Sequence, residues 1–229
     1  MLRILLWRLG FEFWHFVAFL MSRFPSLQRF NHEVTYFAFG ANLSPAVLLN
    51  RQIRPLAQRD YILEDHELRF NQPGPYKGFG FASVHAAAGK KAFGRLIRMS
   101  RVDEIRMDYF ELVPILRRHR KITLTREGET FFFYQATRPL AGLRPTEEYL
   151  GKIMQAVEQS KIIPPDLLAE LRAVRPLEKL EPPEGRNFLV DITRWPPPLR
   201  PLGLKYDVWC RLFMMGLYQR QLFQRWIRP

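Results

Sequence analysis

The sequence predicts an α+β fold in which a small mixed β-barrel or curled sheet carries flanking helices. Short runs of β-branched and aromatic residues follow one another at 35–39, 67–71, 80–85 and 91–99, which indicates consecutive strands. Helical patterns between them are few and short, so the strands do not alternate with long helices as in a doubly wound parallel sheet. The 229 residues suffice for one domain with a core and extensions.

The first predicted strand, residues 35–39, leads directly into a turn and a helix start. Gly40 breaks the strand, and Ser44 and Pro45 supply an N-cap and a first-turn proline for a short helix over 45–52. Such a junction gathers backbone N–H groups at one point, where an anion such as a carboxylate can bind. We therefore expect a ligand site at this turn.

Two further strands are predicted on either side of a glycine. Residues 80–85 and 91–99 have strand composition, and residues 86–90 are expected to join them, with Gly89 at the turn. The asparagine, prolines and glycine of residues 71–75 predict a loop before the first of these strands.

The second half of the domain is expected to combine two helices with a hairpin. Ser100 and an acid three residues later form a helix-start pattern, and this helix is expected to end near residue 111. Residues 120–125 and 130–136 predict a hairpin around a Glu-Gly turn. The last helix is predicted over 146–160, with acidic residues in its first turn, where the helix dipole favours them.

Composition divides the chain into three zones. Residues 1–33 form an amphipathic aromatic segment, 34–160 a compact domain, and 161–229 a Pro-rich, basic and aromatic C-terminal extension. The formal net charge is +13, from 35 Lys and Arg against 22 Asp and Glu. A surplus of this size favours anionic surroundings, such as a membrane surface, nucleic acid or anionic substrates.

The end of the C-terminal extension predicts an amphipathic helix. One helical face carries Leu222, Phe223, Trp226 and Ile227, and the other carries basic and amide residues. This form suits an anionic membrane surface, and the alternative is that the helix packs on the body of the protein or on residues 2–21. Ionisable residues interrupt the aromatic N-terminal segment, so no apolar run approaches the ~20 residues of a membrane span. We expect a cytoplasmic protein with peripheral membrane contact.

Several classes of protein are disfavoured by residue counts and motifs. Cys210 is the only cysteine, so no intramolecular disulfide can form. The five histidines lie far apart and pair with no cysteine at ligand spacing, which argues against a zinc site. The basic residues are dispersed and accompany no nucleic-acid-reading motif, so no specific nucleic-acid partner is expected.

The helix predicted before residue 111 carries an acidic face. Glu104, Asp108 and Glu111 lie at positions i, i+4 and i+7. Two interpretations are open: a solvated face, or a carboxylate that acts as general acid/base. A neighbouring carboxylate and the apolar side chains of Met107 and Phe110 would each raise a carboxyl pKa towards the range useful for proton transfer.

Three short motifs, in this order, are similar to motifs of the γ-glutamylcyclotransferase family. YFAFGANL at residues 36–43 resembles the family's YGSN-type signature. MDYFE at 107–111 resembles the Leu-Asp-x-x-Glu context of its catalytic glutamate, and PTEEY at 145–149 resembles a Pro-Ser/Thr-x-x-Tyr motif that opens a helix. The resemblance covers roughly residues 34–160.

The resemblance implies a β-barrel of the γ-glutamylcyclotransferase type and an enzyme that needs neither a metal nor a cofactor. Such an enzyme releases 5-oxoproline and a free amine from a γ-glutamyl amine, because the substrate's α-amine attacks its own γ-carbonyl. Glu111 is implied as the general acid/base. The residues implied to bind the substrate are Tyr36, Phe39, Gly40, Ala41, Asn42, Leu43 and Tyr149.

Departures from the family pattern bear on the substrate. Phe39 and Ala41 stand where a tyrosine and a serine are usual, and residues 117–120 are basic where a tyrosine usually follows. Fewer hydroxyls and more cationic groups favour an anionic substrate. The alternative function is a non-catalytic member that binds a small anion or a membrane lipid headgroup in the same cavity.

Overall fold

The structure is a computed structural model that describes residues 13, 16, 20, 24–51, 53–74, 77–111, 113, 119–179 and 198. Its strands are β1 (Glu33–Ala38), β2 (Ala57–Pro73), β3 (Gly80–Ser100), β4 (His119–Arg126) and β5 (Glu129–Ala136). Its α-helices are α1 (Pro45–Asn50), α2 (Arg101–Phe110), α3 (Glu147–Glu158) and α4 (Pro165–Arg172). Two 3₁₀ helices span Pro25–Phe30 and Gly40–Leu43.

The described strands form one mixed five-stranded sheet with the order β2-β3-β1-β5-β4. β1 pairs antiparallel with β3 and parallel with β5, while β2–β3 and β4–β5 are antiparallel pairs. The sheet is not closed, because β2 and β4 remain its edge strands, so the expected barrel is wrong. Tyr61 of β2 packs edge-on against Phe131 of β5, with ring centroids 5.6 Å apart.

β3 differs from its prediction because it is one continuous strand of 21 residues. The expected turn between residues 80–85 and 91–99 is absent there, since both halves pair with β2. The register shifts at Asp65 of β2, opposite residues 87–90 of β3. Asp65 and Gly89 both have positive φ, 56° and 71°, and the Gly89 N–H donates to Asp65 Oδ1 at 2.9 Å. Gly89 therefore lies at an irregularity in the β2–β3 pairing. Sequence composition alone does not distinguish such a position from a turn.

The other predicted helices and strands are confirmed with shifts of a few residues at their ends, but the loop predicted over 71–75 starts later, because β2 continues to Pro73. β1, α1, α2, the β4–β5 hairpin and α3 occupy the expected places. Thr146 caps α3, because its Oγ1 accepts a hydrogen bond from the backbone N–H of Tyr149 at 3.2 Å. The first half of β2 was not predicted, since residues 57–66 include several charged residues and carry no clear alternation.

Two hydrophobic clusters lie on opposite faces of the central strand β1. Phe37 belongs to the first cluster, where its ring centroid lies 6.0 Å from that of Phe131 and 6.3 Å from that of Phe133. Tyr36 belongs to the second cluster, with Phe132 and its neighbours. Because successive strand residues point to opposite faces, β1 contributes alternately to both clusters.

The segment after the predicted domain boundary at residue 160 contributes to the first cluster. Leu167 and Leu171 of α4 are buried there, although the sequence assigns them to the C-terminal extension. The domain boundaries themselves stay predictions. The amphipathic helix expected around Leu222, Phe223, Trp226 and Ile227 lies outside the described residues. None of the helices among those residues combines the length and apolarity needed to cross a bilayer.

We expect Leu171→Ala to lower the free energy of unfolding by about 2–3 kcal/mol, because it removes a buried side chain and leaves a cavity. Denaturant unfolding of the full chain measures this change. The control is Glu170→Ala on the same helix, whose side chain is 64% exposed, and it should change stability by less than about 0.5 kcal/mol. Equal effects of the two variants would show that α4 is not packed on the core.

Candidate active site

The turn after β1 places small and polar residues at the centre of the fold. Gly40 has φ +64° and starts the 3₁₀ helix that carries Asn42 and Leu43 into the interior, where both are buried. A Cβ on Gly40 would lie 2.7 Å from the hydroxyl oxygen of Tyr149. Backbone conformation and the approach of Tyr149 therefore both require glycine here.

Glu111 follows α2 and reaches the same region as Asn42. Its side chain is 13% exposed. Its Oε1 accepts hydrogen bonds from Arg51 Nη1 at 2.8 Å and from Asn42 Nδ2 at 3.2 Å. His119 lies on the other side, with Nδ1 3.5 Å from Glu111 Oε2 and 2.8 Å from the Glu111 backbone oxygen. The carboxylate is thus surrounded by donors.

These donors determine the charge of Glu111. Burial by itself raises the pKa of the carboxyl, but the charges of Arg51 and His119 and the hydrogen bonds from Arg51 and Asn42 outweigh it, so that the pKa lies below its usual value. The expectation of a raised pKa at this position is therefore wrong. The reason is Arg51, a cation from the end of α1 that no sequence pattern connected with Glu111. Glu111 is ionised at neutral pH.

The other acids of the predicted face form a separate network and are not solvated. Lys121 donates to Asp108 Oδ2 at 2.9 Å and also binds Glu104. Glu104 is paired with Arg101 as well, and the Tyr134 hydroxyl donates to Asp108 Oδ1 at 2.6 Å. Burial raises the pKa of Asp108 despite the nearby lysine. This network fixes α2 against β4 and β5, and Glu111 is left as the acid that faces the turn.

Asn42 is a buried amide with an unused acceptor. Its side chain is 6% exposed. Its two N–H groups are directed at the hydroxyl oxygen of Tyr36, 2.7 Å away, and at Glu111. Its Oδ1 has no hydrogen-bond partner within the described part of the chain. An unsatisfied buried oxygen is costly, so Asn42 Oδ1 is a candidate acceptor for a ligand donor.

Two tyrosine hydroxyls complete the polar group. The Tyr149 hydroxyl oxygen accepts a hydrogen bond from the Ala82 N–H at 3.1 Å. Burial raises the pKa of Tyr149 to about 12, and the negative charge of Glu111 adds to the rise. Burial also raises the pKa of Tyr36, again with a contribution from Glu111. Both hydroxyls are protonated at neutral pH and lie within the electrostatic range of Glu111.

The structure brings together most of the residues that the resemblance implied. Tyr36, Asn42 and Glu111 are joined by hydrogen bonds through the Asn42 amide, and Gly40 is in contact with Tyr149. The remaining implied residues are less directly placed: Phe39 packs on Phe133 at 6.3 Å between ring centroids, Leu43 is a core residue, and Ala41 is half-buried in the 3₁₀ helix.

Sequence reasoning missed Arg51 and His119 as neighbours of Glu111. Arg51 ends a short helix, and His119 begins β4. Neither belongs to a motif around Glu111, and both reach it through tertiary folding. The signal that was available was weak: a basic residue shortly after the turn and a histidine shortly after the glutamate.

Comparison with solved structures identifies the fold. A γ-glutamyl cyclotransferase matches 65% of this chain and 91% of its own, with a TM-score of 0.53 and 21% identity. An uncharacterized protein, loc79017 from Homo sapiens, matches 66% of this chain and 94% of its own, with a TM-score of 0.52 and 19% identity. No protein-family model and no curated protein matches the chain. The chain therefore has the γ-glutamylcyclotransferase fold, and the resemblance seen in the sequence is confirmed at the level of fold.

We expect Arg51→Gln to raise the pKa of Glu111, because removal of the cation leaves burial as the main influence on the carboxyl. NMR titration of side-chain-labelled glutamate measures the shift. Arg54→Gln is the matched control, since Arg54 is an exposed arginine three residues away. An unchanged Glu111 pKa in Arg51→Gln would contradict the ion pair.

We expect Gly40→Ala to cost less in a Tyr149→Phe background than in the wild type. The new Cβ would meet the Tyr149 hydroxyl oxygen at 2.7 Å, and phenylalanine removes that atom. The strain of a positive φ, about 1–2 kcal/mol for an L-residue, remains in both backgrounds. A double-mutant cycle on unfolding free energies measures the difference, and strict additivity would show that the two residues are not in contact.

Proposed function

We propose that the protein is a γ-glutamylcyclotransferase-like enzyme that releases 5-oxoproline and a free amine from a γ-glutamyl amine. One observation carries the proposal: the buried Asn42 amide donates through Nδ2 to the ionised Glu111 carboxylate, and its Oδ1 has no hydrogen-bond partner among the described residues. Together these atoms offer acceptors of the kind that a protonated α-amine requires. The fold shared with a γ-glutamyl cyclotransferase supports the same conclusion.

The Arg51–Glu111 pair complements an amino-acid head group. A γ-glutamyl compound carries an ammonium and a carboxylate on one carbon, and the site offers an anion and a cation 2.8 Å apart. The ammonium would bind Glu111 and Asn42 Oδ1, and the carboxylate would bind Arg51. When Arg51 forms an ion pair with the substrate carboxylate, the Arg51–Glu111 ion pair weakens. The pKa of Glu111 then rises towards the range for proton transfer.

The reaction then needs a nucleophile and an electrophile from the substrate, proton transfer by Glu111 and an oxyanion site in the turn. Glu111 accepts a proton from the α-ammonium, and the free amine attacks the γ-carbonyl carbon to form the ring C–N bond. Backbone N–H groups of the turn at Gly40–Leu43 stabilise the oxyanion. The ring nitrogen then loses a second proton, and the bond to the leaving amine breaks as Glu111 passes the two protons in turn to that nitrogen, which departs as an ammonium. Ring closure gains its rate from proximity, since nucleophile and electrophile are in one molecule.

The second candidate is a non-catalytic protein that binds a small anion or a lipid headgroup in the same cavity. Two observations favour it. Arg51 holds the pKa of Glu111 below its usual value, which makes the resting carboxylate a weak base. Phe39 and Ala41 supply no hydroxyl where the family has two. An amphipathic helix of the kind that the sequence predicts near the C-terminus would place such a protein at an anionic membrane surface.

Release of 5-oxoproline from a panel of γ-glutamyl amines and γ-glutamyl peptides tests the proposal. We expect Glu111→Gln to lower the rate at least about 100-fold, because it removes the general acid/base. Glu129→Gln is the matched control, since it makes the same change at a carboxylate on β5 whose side chain is 39% exposed. It should retain the wild-type rate.

Circular dichroism and thermal unfolding establish that each variant is folded. A folded Glu111→Gln protein that cyclises at the wild-type rate would refute the role of Glu111. If the folded wild-type protein releases no 5-oxoproline from any compound of the panel, the non-catalytic function is the better explanation.

A further inference from the structure

A concave site lies apart from Glu111, where the distal halves of β2 and β3 meet the loop before α3. It is an open cleft of about 750 Å³, within the usual size range of ligand sites. None of Tyr36, Asn42, Arg51, Glu111 and Tyr149 lines it. The proposed cyclotransferase reaction makes no use of this cleft.

The cleft is cationic. Three arginines line it, Arg69, Arg144 and Arg175, against one carboxylate among its described lining residues, Glu67. Glu67 is already paired with Arg69. In the part of the chain that the structure describes, no ion pair involves Arg144 or Arg175, and both are exposed to solvent. Arg144 and Arg175 are therefore cationic residues of the cleft lining that no described carboxylate neutralises.

The backbone that carries these arginines is fixed on the sheet. The Arg144 N–H donates to the Gly78 oxygen, and the Gly80 N–H donates to the Arg144 oxygen, both at 2.9 Å. The Leu177 N–H donates to the Pro145 oxygen at 2.8 Å and ties the segment that contains Arg175 to the same loop. Anchored backbone lowers the ordering cost of binding.

The floor of the cleft adds neutral polar groups. The side-chain amide of Asn71 is hydrogen-bonded to His85 Nε2, with Nδ2 3.0 Å from that atom. Burial lowers the pKa of His85, and the charges of Arg69 and Arg120 lower it further, so the ring is neutral at pH 7. The fixed positive charge of the cleft therefore comes from its arginines.

The rest of the lining is apolar. It includes Phe70, Leu140, Leu143 and Val174. The cleft is much larger than an inorganic anion and combines guanidinium groups with an apolar wall. A ligand that matches it carries a compact dianion and an attached organic part.

We propose that this cleft binds the phosphate group of a small organic phosphomonoester, with Arg144 and Arg175 as its anion ligands. A guanidinium group binds phosphate oxygens through two parallel N–H donors, a geometry that makes arginine suited to this group. The apolar wall packs against the organic part. The site is separate from Glu111, so the proposal does not depend on the cyclotransferase activity.

Isothermal titration calorimetry of the full chain, with phenyl phosphate as the probe, tests this proposal. We expect the double variant Arg144→Gln/Arg175→Gln to bind at least about tenfold more weakly, because two charge-assisted contacts are lost. The matched control is Arg54→Gln/Arg126→Gln, which removes the same charge from two exposed positions outside the cleft. It should bind within about twofold of wild type. Glu111→Gln should also bind as wild type does.

A parallel titration with inorganic phosphate distinguishes the two sources of the anion. Tighter binding of phenyl phosphate supports an organic ester as the ligand, and equal binding supports a phosphate site for the free ion. Three results would overturn the proposal: no binding of either probe by folded wild-type protein at about 10 mM, equal binding by the cleft variant, or an equal loss in the control variant.

Discussion

The central strand β1 is the constraint on which the remaining structure depends. It is hydrogen-bonded on both sides, to β3 and to β5, so it joins the two antiparallel pairs into one sheet. Its alternate residues divide the interior: Phe37 packs in one hydrophobic cluster and Tyr36 in the other. Its end then determines where the Gly40 turn lies. The Tyr36 hydroxyl, the Asn42 amide and the Glu111 carboxylate meet because one strand positions the first two.

The sequence predicted the parts of the fold that local chemistry determines. The strand–glycine–helix junction at Gly40, the cap at Thr146 and the β4–β5 hairpin each depend on residues that are adjacent in the chain, and each is present. The continuity of β3 was missed because Gly89 has the same composition signal in a turn and in a strand irregularity. The closure of the sheet was wrong because closure requires the edge strands β2 and β4 to pair with each other, and no local pattern encodes the pairing of distant strands.

In the candidate site, too, local motifs predicted some features and tertiary contacts determined the others. Motifs identified Glu111 and Asn42, and the structure joins them by a hydrogen bond. Motifs gave no information on the charge state of Glu111, because that depends on Arg51, a residue brought near only by the tertiary fold. Apolar neighbours in the sequence suggested a raised pKa, whereas the nearby cation lowers it. Electrostatic properties of a buried group thus require the complete set of its neighbours.

The location of positive charge changes what the basic composition means. From the sequence, the missing hydroxyls at Phe39 and Ala41 and the basic residues 117–120 favoured an anionic substrate for the predicted catalytic site. In the structure, the Arg51 charge in that site is balanced by Glu111, so the site suits a zwitterion better than an anion. Among the described residues the arginines of the 750 Å³ cleft are balanced only in part, since Glu67 pairs with Arg69 and no ion pair involves Arg144 or Arg175. A positive net charge therefore indicates a preference for anions. The pattern of ion pairs determines which part of the surface can bind them.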